Sequence, residues 1–175
     1  MHSFSSVVVR DATLQDVSVL AQANCAMAWE TEQKTLELNL VTDGVSTLLQ
    51  DEHKGRYLVI EGIANDDQGG VSTQDSAQVL GQLMLTKEWS DWRNRWFWWI
   101  QSVYIWPHAR RQGFYKMLYD EVKRQVSAAD GVCGIRLYVE RENEDAQRTY
   151  EALGMKESGY RFYEWMSDAN QDDAK

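Results

Sequence analysis

The sequence predicts an α/β fold built on a mixed, mostly antiparallel sheet flanked by helices, and three observations carry that expectation. The first is the stretch from Trp96 to Glu121. A near-continuous apolar segment, Trp96 to Trp106, passes through Pro107 into the basic turn Arg110-Arg111-Gln112-Gly113. Beyond the turn, Phe114, Met117, Leu118, Val122 and Val126 recur at helical spacing. An apolar run rich in β-branched and aromatic residues suits a strand covered on both faces. The helical spacing packs one face down and leaves Lys116, Asp120, Lys123 and Arg124 in water. The second observation is a turn at Ala128-Ala129-Asp130-Gly131 leading to Ile135, Leu137 and Val139, which alternate along a strand. Strand, helix and strand make a βαβ unit with a right-handed crossover. The third is size, since 175 residues with 43% hydrophobic content suffice for one well-buried domain and are short for two.

The remaining elements fall into place around that unit. Val7 to Arg10 reads as a strand, and Thr13-Leu14-Gln15-Asp16 as a capping box opening a helix. Leu14, Val17, Leu20, Ala21, Asn24 and Met27 share one face of this helix, which fades near Trp29 to Gln33. A second short helix is expected from Thr42 to Gln50, with Val45, Leu48 and Leu49 inward. Tyr57 to Gly62 and Gln78 to Thr86 read as strands, joined through a polar, Gly-containing mobile loop at Asn65 to Ser76. Glu88 to Trp96 reads as a polar connection into the central strand. Later, Asn143 caps a helix with Glu144 and Asp145 in its first turn, Ala146, Tyr150 and Leu153 on one face, and Gly154 at its stop. Met155 to Met166 alternates as a β-hairpin around Ser158-Gly159. The acidic end, 167–175, is expected to be disordered. The order is β-α-α-β-β-β-α-β-α-β-β in a single domain over 1–166.

Composition narrows the partners. Eighteen Lys and Arg against 27 Asp and Glu give a net charge of −9, which repels nucleic acid and favours a cationic partner, or simply keeps the chain soluble. An anionic ligand then needs a local basic patch, and Arg110, Arg111, Lys116, Lys123 and Arg124 form the densest one. The longest apolar run, Trp96 to Ile100, is too short to cross a membrane. Cys25 and Cys133 have neither CxxC nor metal-ligand spacing, and the start of the chain does not read as a signal peptide, so a cytoplasmic setting is expected. His2, His53 and His108 show no ligand or triad spacing, and no metal is expected. A homodimer is compatible with the sequence, which does not fix the oligomeric state.

The turn at Arg110 to Gly113 opens a helix, whose unpaired N–H groups and positive dipole end, ringed by Arg110, Arg111 and Lys116, have the ingredients of a phosphate cradle. A strand end with a solvated basic loop would look the same. Over a longer stretch, V-Y-I-x-P-x-x-R-R-Q-G-x-x-x-x-L-Y at Val103 to Tyr119 resembles the acetyl-CoA-binding core of the GNAT superfamily of N-acetyltransferases. Arg110 and Gly113 match that pattern; Tyr115 stands where a small residue is expected, so its side chain must be turned away. L-Y-V-x-x-x-N-x-x-A-x-x-x-Y-x-x-x-G-M, at Leu137 to Met155, resembles the family's second cofactor motif, and V-x-R-x-A-T-x-x-D at Val8 to Asp16 its first strand and helix.

The resemblance implies transfer of an acetyl group from acetyl-CoA to a primary amine. It assigns cofactor binding to Val103, Tyr104 and Ile105 on the strand, to Arg110, Arg111, Gln112, Gly113, Phe114, Tyr115 and Lys116 at the turn, and to Asn143. Tyr150 becomes the general acid; a phenol near 10 against a thiol near 8.5 donates and readily regains its proton. Read plainly, Asn143 is a helix cap and Tyr150 a half-buried core residue. For the acceptor, Glu30 and Glu32 lie between the first two helices, where the family commonly builds one wall of the site. They are otherwise solvated helix-end acids. Glu88, Trp89, Asp91 and Trp92 either form an acidic aromatic box for a protonated amine or cover the sheet, with the acids paired to Arg93 or Arg95. Trp96 to Ile105 contains no acid, so the base is Glu88, Asp91, Glu30 or a water held by Gln101 or Tyr104. A cationic small molecule is the favoured acceptor. A peptide or protein amine, a longer acyl donor, and a non-catalytic module binding a cationic ligand are the alternatives.

Overall fold

The computed structural model describes residues 4–64 and 77–167. The loop expected at Asn65 to Ser76 and, apart from Ser167, the tail expected at 167–175 lie outside the described residues. The chain divides into two compact units, Met1–Tyr138 and Val139–Lys175. In the first unit the order is β1 (Phe4–Asp11), α1 (Val17–Glu32), α2 (Leu38–Leu49), β2 (Arg56–Ala64), β3 (Gln78–Ser90), β4 (Arg95–Ile105), α3 (Phe114–Ala128) and β5 (Val132–Leu137). These strands form one sheet in the order β1-β2-β3-β4-β5. All neighbours are antiparallel except β4 and β5, which run parallel across the α3 crossover. The mixed, mostly antiparallel α/β architecture expected from the sequence is therefore present.

The capping box forms as read: Thr13 accepts from the Gln15 amide, and Asp16 accepts from the Thr13 amide at 2.7 Å. The same Asp16 carboxylate is buried and takes Arg10 through two bonds of 2.8 and 2.9 Å, while Arg10 also reaches Glu61 on β2. One guanidinium thus ties β1, β2 and the entry to α1. Its hydrogen bonds outweigh the desolvation of Asp16 and hold that carboxyl below the usual aspartate range. Helix α2 starts four residues before the predicted Thr42, because the Glu37 side chain caps it by accepting from the Asn39 and Leu40 amides.

Both faces of the sheet are covered. Leu20, Val45, Leu48, Tyr57 and Val59 form a buried cluster between α1, α2 and β2, packed also by Met84. Strand alternation sends Leu58, Ile60, Leu83 and Leu85 to the opposite face, where α3 buries Leu118 and Val122. On the α1 face one polar chain crosses the core: the fully buried Gln82 donates to Asn24 on α1 at 2.9 Å, and Asn24 donates to the Tyr57 hydroxyl at 3.0 Å. These bonds fix α1 against β2 and β3, and with it the position of Glu30 near the helix end.

Two features of β4 shape the site. Strand β3 runs to Ser90, so Glu88 and Trp89 lie in a long β3–β4 hairpin rather than in the polar connection read from sequence; only 91–94 form the turn. Trp89 packs edge-on against its register partner Trp96 at 5.0 Å, an aromatic pair that extends the ladder. Gln101 is then an extra residue between Met84↔Ser102 and Leu85↔Ile100, a β-bulge. At the same place the parallel ladder to β5 stops, its last pair being Ile100↔Leu137. The far arm of β4 is held on β3 alone, and closely: a Cβ at Gly81 would sit 2.7 Å from the Tyr104 carbonyl and 2.4 Å from Ile105 Cδ1.

In the second unit, α4 (Glu144–Ala152) is capped by Asn143, which accepts from the Ala146 amide at 3.1 Å, with Glu144 and Asp145 in the first turn. The helix stops at Gly154, whose φ of +91° is the left-handed conformation that glycine adopts at no cost. The β-hairpin expected over Met155 to Met166 does not form; no strand is present over 153–167, and Tyr160, Phe162, Tyr163 and Trp165 are exposed. An isolated two-stranded hairpin is marginal in water, and period-two alternation alone does not make one.

Urea unfolding of two variants tests these contacts. Asp16→Asn leaves Arg10 without its buried partner and should cost roughly 2 kcal/mol at neutral pH. Because the folded Asp16 pKa is depressed, its contribution is present above the unfolded carboxyl value and is lost as pH falls through the folded one. The gap between parent and variant should therefore close on acidification. Gly81→Ala should cost about 1–3 kcal/mol, as overpacking against a backbone carbonyl does; an unchanged midpoint would contradict the close approach at Tyr104.

Candidate functional site

From Gln101 to Ile105, β4 has β3 on one side and no pairing to β5 on the other, so the parallel strands fork. Backbone amides and carbonyls along the inner arm of the fork lack a strand partner and suit an extended, amide-bearing ligand. Side chains of β3, β4 and the residue that follows β5 meet beside the point of parting. The Gln101 amide donates to Thr86 Oγ1 at 2.6 Å and accepts from the Tyr138 hydroxyl at 2.9 Å. Further from the fork, across β3, β4 and β5, Glu88 takes Arg136 through bonds of 2.8 and 2.9 Å, and also the Trp99 indole N–H. Arg136 in turn lies over the Phe97 ring at 3.7 Å.

The outer end of β4 runs into a single 3₁₀ turn, Pro107–Ala109, and then into the basic turn. Arg111 and Gly113 both take positive φ, 62° and 81°, and Gly113 occupies the N-cap of α3 with no side-chain cap bond. The first-turn amides of α3 have no helical acceptor and no capping side chain, which leaves them as donors at the positive end of the dipole. Nothing lies within 4 Å of a Cβ built at Gly113, so its backbone conformation, not crowding, calls for glycine. Tyr115 is turned away from the turn: its ring stacks on Tyr119, one helical turn on, at 6.2 Å and 22°.

The cations of this region are largely engaged by the chain's own acids. Lys116 and Lys123 pair with Asp120, and Arg124 with Glu121. Among the described residues, Arg111 has no carboxylate partner in the turn. Arg110 is engaged most fully. Its Nε donates to the Ile105 carbonyl at 2.8 Å, its Nη2 to Glu30 Oε2 at 2.5 Å, and its guanidinium lies 5.3 Å from the centre of the Tyr104 ring. The Tyr104 hydroxyl donates to the other Glu30 oxygen at 2.7 Å. Burial first, and then the Glu30 bond, push the Tyr104 phenol up to about 12. Desolvation raises the Glu30 carboxyl, but the bonds from Tyr104 and Arg110 and the Arg110 charge outweigh it and hold Glu30 below the usual glutamate range.

The residues expected to meet an amine are dispersed. Glu30 belongs to the Arg110 cluster, and Glu32 is exposed at the end of α1. Glu88 is tied to Arg136 and Trp99. Asp91 accepts from the Trp92 amide at 2.8 Å in the hairpin turn, where Trp92 is exposed. Several aromatic faces already carry the chain's own arginines, Arg56 on Trp98 and Arg136 on Phe97 among them. Sequence reasoning misses Trp99, Arg136 and Tyr138; the signal that could have found Arg136 is a lone cation within an apolar alternating strand. In the second unit, Asn143 is a helix cap and Tyr150 is half-buried on α4, its phenol pushed up by burial.

Among the described residues, no helix is long and apolar enough to cross a membrane, and no group of three or more His, Cys, Asp or Glu could hold a metal ion. No curated protein matches the chain. Among solved structures, a possible acetyltransferase from Clostridium difficile 630 is 40% identical, with a TM-score of 0.79 over 92% of this chain and 97% of that one. The fold is also shared, at 16% identity and a TM-score of 0.65, by a ribosomal-protein-alanine N-acetyltransferase from Brucella melitensis biovar Abortus 2308, over 93% of this chain and 100% of that one. The aminoglycoside N-acetyltransferase AAC(6')-Iy in complex with CoA shares it at 13% identity and a TM-score of 0.68, over 96% of this chain and 97% of that one. The sequence profile of the Acetyltransferase (GNAT) family matches residues 20–155. With its forked strands, its basic turn at a helix start and this match over most of its length, the chain belongs to the GNAT family of acetyltransferases.

Proposed function

We propose that this protein transfers an acetyl group from acetyl-CoA directly to a primary amine, with a cationic small molecule as the favoured acceptor. The observation that carries the reading is the continuity of the fork with the turn: the unpaired arm Gln101 to Ile105 leads within a few residues to the open amides of α3. Acetyl-CoA, which the family implies, supplies the acetyl group as a thioester. The residues present fit it: main-chain groups of Val103 and Ile105, which face away from β3, suit an amide-bearing arm, and the turn from Arg110 to Lys116 suits a diphosphate. Arg111 offers that diphosphate a charge that no acid among the described residues has claimed, and Tyr115, stacked on Tyr119, leaves the backbone approachable.

The chemistry asks two things of the protein. A main-chain N–H of the fork arm steadies the negative charge that grows on the carbonyl oxygen. As nitrogen bonds to the acyl carbon and the carbon–sulfur bond breaks, the departing thiolate needs a proton, which Tyr150 gives. The amine sheds its proton to solvent, and Tyr150 is reprotonated from solvent. Burial raises the Tyr150 phenol, so it stays protonated at neutral pH and remains a donor. Asn143 is assigned to the cosubstrate arm by the family motif, a role its carboxamide must combine with capping α4. Net acidity draws cationic amines, and the indoles of Trp89 and Trp92 and the acids Asp91 and Glu32 remain open to them. Cys25 and Cys133 are both free thiols, which supports a cytoplasmic setting.

Acetyl-CoA-dependent thiol release across a panel of polyamines, aminoglycosides, amino acids and peptides tests the reading. Release should appear with one acceptor class, and Tyr150→Phe should lower kcat about 100-fold or more. Because the folded phenol lies above 10, kcat should show no alkaline fall up to about pH 9; a fall below that pH would assign the acid elsewhere. Gly113→Ala, strained at positive φ, should lose about 1 kcal/mol of stability and weaken CoA binding. If no acceptor releases thiol and CoA does not raise the melting temperature, the cosubstrate assignment fails.

A further inference from the structure

We infer that Arg110 is a shared counter-ion, held by Glu30 in the free protein and surrendered to the anionic cosubstrate, so that Glu30 becomes available to the amine only once the cosubstrate is bound. The inference rests on the acetyl-CoA reading above. Its basis is a conflict of assignments within one cluster. Arg110 is the charge at the head of the basic turn, yet its hydrogen bonds point away from that turn, to the Ile105 carbonyl and to Glu30. Ile105 lies on the unpaired arm of the fork, so the guanidinium covers a backbone acceptor that an amide-bearing arm would use. An arm seated there displaces Arg110 from Ile105. The phosphates at the α3 start offer it a stronger, doubly charged partner.

The exchange frees the carboxylate that the amine needs. Glu30 sits near the end of α1, which Asn24 ties to the sheet, so the helix does not have to follow Arg110. Tyr104 keeps one Glu30 oxygen through its hydroxyl, and the other oxygen loses its cation. A carboxylate so released, with Tyr104 beside it, holds an ammonium in place of the guanidinium. In the free protein the same carboxylate is neutralised and has little to offer an amine. Cosubstrate before acceptor is then the order of binding, set by one arginine with two possible partners.

The sign of one substitution separates this from a merely structural ion pair. Titration calorimetry would compare CoA and pantetheine, which lacks the phosphates, on the parent, Glu30→Gln, Arg110→Gln and the double variant. If Glu30 competes for Arg110, Glu30→Gln should tighten CoA about 3- to 5-fold, the range of a partly exposed ion pair. It should leave pantetheine unchanged and do nothing in the Arg110→Gln background. If Glu30 instead holds Arg110 in its binding position, Glu30→Gln weakens CoA, and the exchange is overturned. No change in CoA affinity overturns it equally. A parent that binds neither CoA nor pantetheine is a different failure, that of the cosubstrate reading itself.

Discussion

The structure depends on one constraint on β4: it must pair with β3 along its whole length and release β5 halfway. Parallel strands joined by a crossover helix would ordinarily continue together, since each added pair satisfies backbone groups that burial would otherwise leave costly. Here the bulge at Gln101 adds a residue to β4 opposite a single step of β3, which bends the strand and shifts which side each later residue faces. The ladder to β5 ends at the residue before the bulge. Gly81 keeps the bent arm attached to β3, because no side chain there pushes against the Tyr104 carbonyl. The fork is thus a consequence of one inserted residue and one missing Cβ, and every proposed cosubstrate contact in the first unit lies along it or at its outer end.

The electrostatics obey a second constraint. In a chain of net charge −9 the proposed anion site has to be local, and most of the cations around it are already paired with acids. Lys116, Lys123, Arg124, Arg136 and Arg110 each sit on a carboxylate, several on an aromatic ring as well. Exposed pairs of this kind contribute little to stability, because water and salt screen them. Their effect is on availability: the backbone amides of the α3 start and Arg111 are what an anion meets first, while the paired cations respond only if it offers them more than their acids do.

How much of this is legible in the sequence depends on whether the signal is local. The capping box at Thr13, the strand-to-helix passage through Arg110 to Gly113 and the cap at Asn143 are written in adjacent residues, and all three form. The bulge is not legible, because Gln101 is neither Gly nor Pro and its register is set by β3, a separate strand across the hairpin. Glu30 looks like an acceptor residue when only its neighbours along the helix are in view. Its partner is Arg110, 80 residues on, which no local pattern reveals. The same limit applies to Glu88, whose nearest arginines in sequence are Arg93 and Arg95 and which is held by Arg136 instead. Period-two alternation over Met155 to Met166 suggests a hairpin, although alternation reports a preference for two faces and not the presence of a sheet to supply them.

These long-range pairings also change what the aromatic content means. Six indoles within eighteen residues look, as a list, like a cage for a cation. In three dimensions a ring is available to a ligand only if its face is open, and the arginines of β2 and β5 cover Trp98 and Phe97 from within the sheet. Trp89 and Trp96 turn their edges and faces to one another. Guanidinium groups stack on rings while keeping a hydrogen-bonding edge free, so these contacts do not silence the arginines. Arg136 still presents that edge to Glu88 beside the fork. The aromatic stretch therefore acts first as a support that holds charged side chains in fixed directions around the point where β4 and β5 part.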